Sequence, residues 1–228
     1  MNAADYDAWY DTPRGRWIGD AEYRLLQQAV EPRQGESLLD VGCGTGWFTR
    51  RMAQLHGLQV TGVDINAEWL AYARERDAAS NYIEGDALTL PFADSSFDGV
   101  VSIAALCFTA DWRRAVGEIV RVSRGRFAIG MLNRRSLLWR EKGRNGGSGA
   151  YRGAYWVTPE ELRDSVAGLP VRNVRLRSAV FSPSGSVFAL GLEAVLPPSL
   201  AWGGFLVLAG EKKRAGALNA TAFPAQAR

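Results

Sequence analysis

Residues 38–50 read LLDVGCGTGWFTR, an apolar run followed by three glycines within five positions. Glycine loses more backbone freedom on folding than any other residue, so a cluster of three marks a turn from which side chains are excluded. SLLDV at 37–41 reads as a short strand, and the segment from Gly46 to about Leu55 as a helix ended by Gly57. The start of such a helix offers unpaired N–H groups and a positive partial charge. A turn without Cβ atoms lets a ligand reach the main chain.

Working outward, strands and helices alternate. WIGDAEYRLLQQAV at 17–30 has helical spacing and precedes Pro32. LQVTGVD (58–64), NYIEGD (81–86), FDGVVSI (97–103) and RFAIGML (126–132) read as further strands. NAEWLAYARER (66–76) is a helix with an Asn cap, and DWRRAVGEIVRV (111–122) a capped amphipathic helix. Several strands are apolar throughout, which implies a parallel sheet covered on both faces. The expectation is a doubly wound, Rossmann-like α/β fold with seven strands.

After Leu132 the alternation breaks. Residues 133–157 are basic and aromatic, with NGGSG at the centre, and are too long for an idle connection. TPEELRDSVAG (158–168) restarts a helix with Thr158 as cap, Pro159 in the first turn and Glu161 three residues on. Residues 171–181 and FLVLAG (205–210) read as the sixth and seventh strands, with SVFALGLEAVL between them as helix or strand. The organisation expected is an N-terminal helical lid (1–35), a ligand-binding core (36–132), a substrate loop or lid (133–157), a completion of the sheet (158–211) and a flexible tail (212–228).

The core carries a second and a third signal. Asp64 ends the second strand, 22 residues after Gly42, where an acid can bind both hydroxyls of a ribose. Asp86 follows the third strand in EGDALTLPF, where an acid can accept from the amino group of a base. The glycine spacing is GxGxG, which meets neither the dinucleotide fingerprint nor the phosphate loop.

LLDVGCGTG, VTGVDIN and GDALTLPFADSSFDGVVS together resemble the class I S-adenosylmethionine-dependent methyltransferases. The group they are most similar to is the small-molecule enzymes like those of ubiquinone and menaquinone biosynthesis. The resemblance covers residues 36–132 strongly and continues weakly to Gly210, with FLVLAG as the family's last, antiparallel strand. It implies S-adenosylmethionine as cofactor and no metal. It implies that Asp40, Gly42, Gly44 and Gly46 hold the methionine part, that Asp64 binds the ribose and Ile65 packs on adenine. Asp86 and Ala87 fall at the adenine edge, and Ala104 and Ala105 along the methionine arm. Tyr6, Tyr10 and Arg16 are expected to fold over the cofactor. Bland readings stand beside these: Asp40 orienting the turn through main-chain bonds, Asp64 as an ordinary strand-end turn residue, Asp86 as a turn former, and Tyr6, Trp9 and Tyr10 as core aromatics of an N-terminal helix.

The acceptor is expected above the fourth and fifth strand ends, beside Trp139, Tyr151, Tyr155 and Trp156 with Arg134, Arg135, Arg140 and Arg152. Aromatic faces suit a planar acceptor and arginines an anionic one. The bland reading is a lid anchored by aromatics, with solvated arginines. The single histidine, His56, lies away from the strand tips, so no general base is legible. From Arg113 to Arg152, eleven basic residues face two acids although the whole chain is only +3. That is a solvated face or an anion site; nucleic acid is weighted low, since no RNA-binding motif accompanies it. Cys43 and Cys107 lack framework spacing and read as free thiols. No apolar run reaches the roughly 18–20 residues of a membrane span, and a cytoplasmic small-molecule enzyme is the expectation. Competing readings are a dinucleotide dehydrogenase, a non-catalytic cofactor sensor or adaptor, and a methyltransferase acting on RNA.

Overall fold

A computed structural model describes residues 2–54 and 57–213. The expectations for His56, for the Leu55 end of a helix and for the tail from 214 onward lie outside the described residues.

Two helices open the chain. α1 (Ala3–Trp9) is capped by Asn2, and α2 (Pro13–Val30) by Thr12, whose side chain accepts from the Gly15 N–H, with Pro13 in the first turn. The core follows as β1 (Ser37–Val41), α3 (Trp47–Ala53), β2 (Gln59–Asp64), α4 (Ala67–Arg76), β3 (Asn81–Glu84), β4 (Phe97–Ile103), α5 (Trp112–Val122) and β5 (Ser123–Asn133). Beyond it come β6 (Trp156–Val157), α6 (Pro159–Asp164), β7 (Val171–Ala179), α7 (Val187–Val195) and β8 (Phe205–Lys212). SVFALGLEAVL is thus helical in its central part. Asp111 stands at the cap position of α5 but makes no side-chain cap bond, which corrects the capped helix read there.

The sheet order is β3-β2-β1-β4-β5-β8-β7. Every pairing is parallel except those of β8, which runs antiparallel to both β5 and β7. The two-residue β6 makes an eighth strand: β4 leaves β5 after Ile103↔Gly130, and β6 takes up the vacated edge at Leu132↔Trp156. No local pattern announces so short a strand.

Successive strand residues point to opposite faces, and the cores follow that period. Phe127, Ile129 and Met131 of β5 pack with α5 on one face, while Ala128 joins Ile18, Leu25 and Leu26 of α2 on the other. β1 has β2 on one side and β4 on the other, so strand order reverses between β1 and β4. In an open α/β sheet, ligands bind in the crevice outside the carboxyl ends of the strands at that reversal. Here the crevice lies between Gly42, after β1, and Ala104–Ala105, after β4.

Candidate cofactor and acceptor site

The glycine turn is held by its neighbours. Gly42, Gly44 and Gly46 have φ of 75°, 55° and 76°. A Cβ on Gly42 would stand 2.2 Å from the Cβ of Ala105, across the crevice. One on Gly46 would stand 2.6 Å from the Tyr82 hydroxyl, and one on Gly44 3.1 Å from the Trp69 ring. Protein packing thus accounts for the missing side chains at all three positions, which the sequence reading credited to a ligand alone.

Asp64, half-buried at the end of β2, accepts from the Gly44 N–H at 2.8 Å and from the Asn66 N–H at 2.9 Å. A carboxylate has about four lone-pair sites, so each oxygen keeps capacity for a further donor. Ile65 beside it is 69% exposed, an apolar side chain with its face uncovered. At the next strand tip Asp86 accepts from the Leu88 N–H at 2.8 Å through one oxygen, and Ala87 packs on the core behind it.

Asp40 is buried and accepts from the Thr49 hydroxyl at 2.7 Å. Burial pushes its carboxyl up to about 7; the Thr49 bond opposes this and the charge of Asp64 adds to it. Its bonded partner is thus the Thr49 side chain on α3, where the bland reading had main-chain groups of the turn. Ala104 lies opposite with φ of 51°, its N–H bonded to Gly130 O at 3.1 Å. A left-handed backbone at a residue with a Cβ costs about 1–2 kcal/mol, and such strain concentrates at ligand sites.

The N-terminal helices close over this crevice. Tyr6 stacks near Trp69 (centroids 4.9 Å), and its hydroxyl is 3.3 Å from that of Tyr10. Tyr10 is buried and stacks on Trp47 at 4.2 Å. Burial pushes the Tyr6 hydroxyl up to about 12 and that of Tyr10 well above its ordinary value. Arg16 departs from the expected position: it is exposed, reaches only Asp11 O at 3.4 Å, and lies on the outer face of α2 beside Asp20, Arg24 and Arg51.

Sequence reasoning missed the residue that fastens this cover. Asp7 accepts from both the Thr45 hydroxyl (2.8 Å), inside the glycine turn, and Arg50 Nη2 (2.9 and 3.0 Å), on α3. Arg50 also donates to Thr45 O at 2.6 Å. In sequence Asp7 is one more acid of an acidic helix, and its partners lie about forty residues away. Asp7→Ala is expected to cost about 1–2 kcal/mol, since it strands a half-buried Arg50 and the buried Thr45 hydroxyl. Hydrogen exchange should rise in α1 and residues 42–46 and stay unchanged in β5.

The 133–157 segment is ordered against the core. Ser136 bonds to Asn133 O, Trp139–Gly143 forms a π turn, and the Tyr155 N–H donates to Cys107 O at 2.6 Å. Trp156 is buried, Tyr151 and Trp139 are half-buried, and Tyr155 is 45% exposed at the rim. The arginines turn outward: Arg134 pairs with Glu161, Arg135 with Glu160, and Arg140 and Arg152 are exposed. Arg121, Arg124 and Arg126 are likewise paired, with Glu118 and Asp94, with Asp98 and with Glu36. Much of the local positive charge is therefore neutralised where it arises.

Residues 39–129 match the methyltransferase-domain family. This stretch is a methyltransferase domain. Around it, the chain is 43% identical over 124 residues to a malonyl-[acyl-carrier protein] O-methyltransferase of Pectobacterium atrosepticum, covering 51% of this chain and 48% of that protein. It is 38% identical over 113 residues to the O-methyltransferase cnsE of Penicillium expansum, covering 47% of this chain and 41% of that protein. The chain spans about half the length of these curated relatives. A crystal structure of an S-adenosylmethionine-dependent methyltransferase from Thermotoga maritima superposes with a TM-score of 0.70 and 26% identity, over 92% of this chain and 96% of that one. The methyltransferase domain thus has the class I, Rossmann-like fold. Among the described residues no helix is long and apolar enough to cross a membrane, and no cluster of three or more metal-ligating side chains occurs.

Proposed function

We propose that the protein is an S-adenosylmethionine-dependent methyltransferase acting on a small-molecule acceptor. The observation that carries this reading is the pair of strand-end acids, Asp64 and Asp86, set around the glycine turn of a matched methyltransferase domain. In it Asp64 binds the ribose hydroxyls, Ile65 covers one face of the adenine, and Asp86 with Ala87 borders its edge. Asp40, Gly42, Gly44 and Gly46 border the methionine part and Ala104 its arm, with Tyr6 and Tyr10 as the cover. The donor chemistry fits: two carboxylates with free lone pairs for hydroxyl and amino donors, and an uncovered apolar face between them.

The cofactor supplies a methyl group on a positively charged sulfur that is already a good leaving group. The chain contributes alignment, exclusion of water and electrostatics. Holding two reactants in line can supply roughly 7–11 kcal/mol of the barrier. The acceptor lies under residues 133–157, against Tyr151, Trp156 and Trp139 with Tyr155 at the rim. Arg134 and Arg135, turned outward and paired with Glu161 and Glu160, favour an acceptor recognised mainly by its apolar or aromatic body.

Calorimetric titration with S-adenosylmethionine and S-adenosylhomocysteine tests the cofactor reading. Wild type binds both, and Asp64→Ala weakens binding at least tenfold, about 1.4 kcal/mol or more, because the ribose donors lose a charged acceptor. A screen of small hydroxyl, amine and carboxyl compounds for methylation follows. Binding without turnover on any compound would instead mark a cofactor sensor.

A further inference from the structure

Glu22 stands apart from every other acid in the chain. It lies on α2 and is only 8% exposed. No hydrogen bond or ion pair among the described residues involves its carboxyl. A carboxyl buried without a partner costs stability, so its place asks for a reason.

Its position supplies one. Val30 at the end of α2 packs on Gly99 at the start of β4, where a Cβ would meet the Val30 side chain at 3.1 Å. Eight residues of helix rise about 12 Å from there to Glu22, and four residues of strand about 13 Å from Gly99 to Ile103. By these rises Glu22 stands about level with the tip of β4, which Ala104 follows. One turn before it on the same face, Gly19 packs on Tyr10 and Trp47. The titratable groups on which the Glu22 carboxylate acts electrostatically come from the other elements walling the crevice: Tyr6 of α1, Tyr10 after it, Cys107 after β4, and Tyr151 of the 133–157 segment. Burial makes each of these four groups hold its proton more tightly, and an ionised Glu22 adds to that. The cation Arg14 acts on Tyr151 in the opposite sense and has its Nε buried without a partner. Glu22 is thus a buried carboxyl without a hydrogen-bond partner among the described residues, one turn along α2 from the Gly19 contact with Tyr10 and Trp47.

We propose that Glu22 is the proton acceptor of the methyl transfer. The inference rests on the methyltransferase reading. The acceptor's oxygen or nitrogen forms its bond to the methyl carbon, and the carbon–sulfur bond breaks with its electron pair going to sulfur. The proton of the acceptor's O–H or N–H passes to the Glu22 carboxylate and leaves to solvent with product. Burial alone pushes this carboxyl up to about 8 in the free protein, so near neutrality it is mostly protonated. A sulfonium in the crevice favours the carboxylate, because an opposite charge nearby stabilises the ionised form. The neutral thioether product removes that bias. The base is therefore armed only when a methyl donor is bound.

On any acceptor that the screen identifies, Glu22→Gln should lower kcat about 10²–10⁴-fold with little change in KM. The deciding experiment needs no acceptor. S-adenosylmethionine and S-adenosylhomocysteine are titrated at pH 7 into wild type and Glu22→Gln, in two buffers of different ionisation enthalpy. The expected result is release of about half a proton or more per S-adenosylmethionine bound to wild type, far less with S-adenosylhomocysteine, and no such difference in Glu22→Gln. Glu22→Asp, which keeps the acid, retains part of the difference and serves if the glutamine variant does not fold. Binding of both ligands to wild type with equal proton release overturns the role of Glu22 and leaves the cofactor reading intact. No binding of either ligand to folded wild type removes both.

Discussion

Gly42→Ala is expected to lower the melting temperature by about 6–12 °C and to weaken S-adenosylmethionine binding at least a hundredfold. Two terms add. The backbone at φ 75° costs a residue with a Cβ about 1–2 kcal/mol. The new Cβ would also lie 2.2 Å from that of Ala105, so the tips of β1 and β4 must separate. Together these amount to about 3 kcal/mol, and for a chain of this size each kcal/mol shifts the melting temperature by about 2–4 °C. Adding Ala105→Gly to the variant removes the collision but not the conformational cost, so about half of the stability should return. Thermal melts of the single and double variants, with calorimetry on each, measure both parts. A double variant no better than the single one would show that the contact with Ala105 is not what excludes a side chain at this position.

The second large effect concerns stability and pH. In the folded protein Glu22 is held at about 8, whereas the free side chain ionises near 4.5. Below about 4.5 both folded and unfolded chains carry the proton and Glu22 contributes no pH dependence. As pH rises from there to about 8 the unfolded chain gives up its proton and the folded one keeps it. Folding stability therefore falls across that window and levels off above it. The window, from 4.5 to about 8, spans about three and a half units at 1.36 kcal/mol each, and relaxation around the buried group trims the total to about 2–4 kcal/mol. Asp40, raised to about 7, adds a loss of the same sign over a narrower range. Glu22→Gln should be about as stable as wild type at pH 4.5 and clearly more stable at pH 8. Urea unfolding of both proteins at the two pH values measures the difference. A gap that does not widen with pH would mean that the carboxyl is solvated in the folded state.

These two predictions draw on different depths of the sequence. The glycine turn, the strands around it and the caps at Asn66 and Thr158 were legible because each rests on neighbours a few residues apart; Thr158 and Glu161 form the reciprocal capping box expected of them. The two-residue β6 was not legible, because it exists only where β4 stops short of β5. Asp7 was not legible because an ion pair between distant segments leaves no local trace. Glu22 did leave one: it follows Ile18 by four residues, on the buried stripe that continues to Leu26. An acid on the apolar stripe of a helix is a signal, but it becomes a functional one only once the fold brings that turn of α2 level with the tip of β4. The arginines of 133–157 misled in the opposite direction, since charge in sequence does not reveal that Glu160 and Glu161 wait one helix later to neutralise it.

The position of β8 bears on how the chain is made. This strand lies between β5 and β7, and its carbonyl and N–H groups complete the ladders of both. A chain growing from its N-terminus can assemble the glycine turn and the parallel strands through β5 early. Until residues 205–212 have been synthesised, however, β5 presents an open apolar edge and β7 has no neighbour in the sheet. The nascent protein thus carries a half-finished sheet from the completion of β5 until β8 arrives, and any truncation before Phe205 leaves that edge free to pair with another chain.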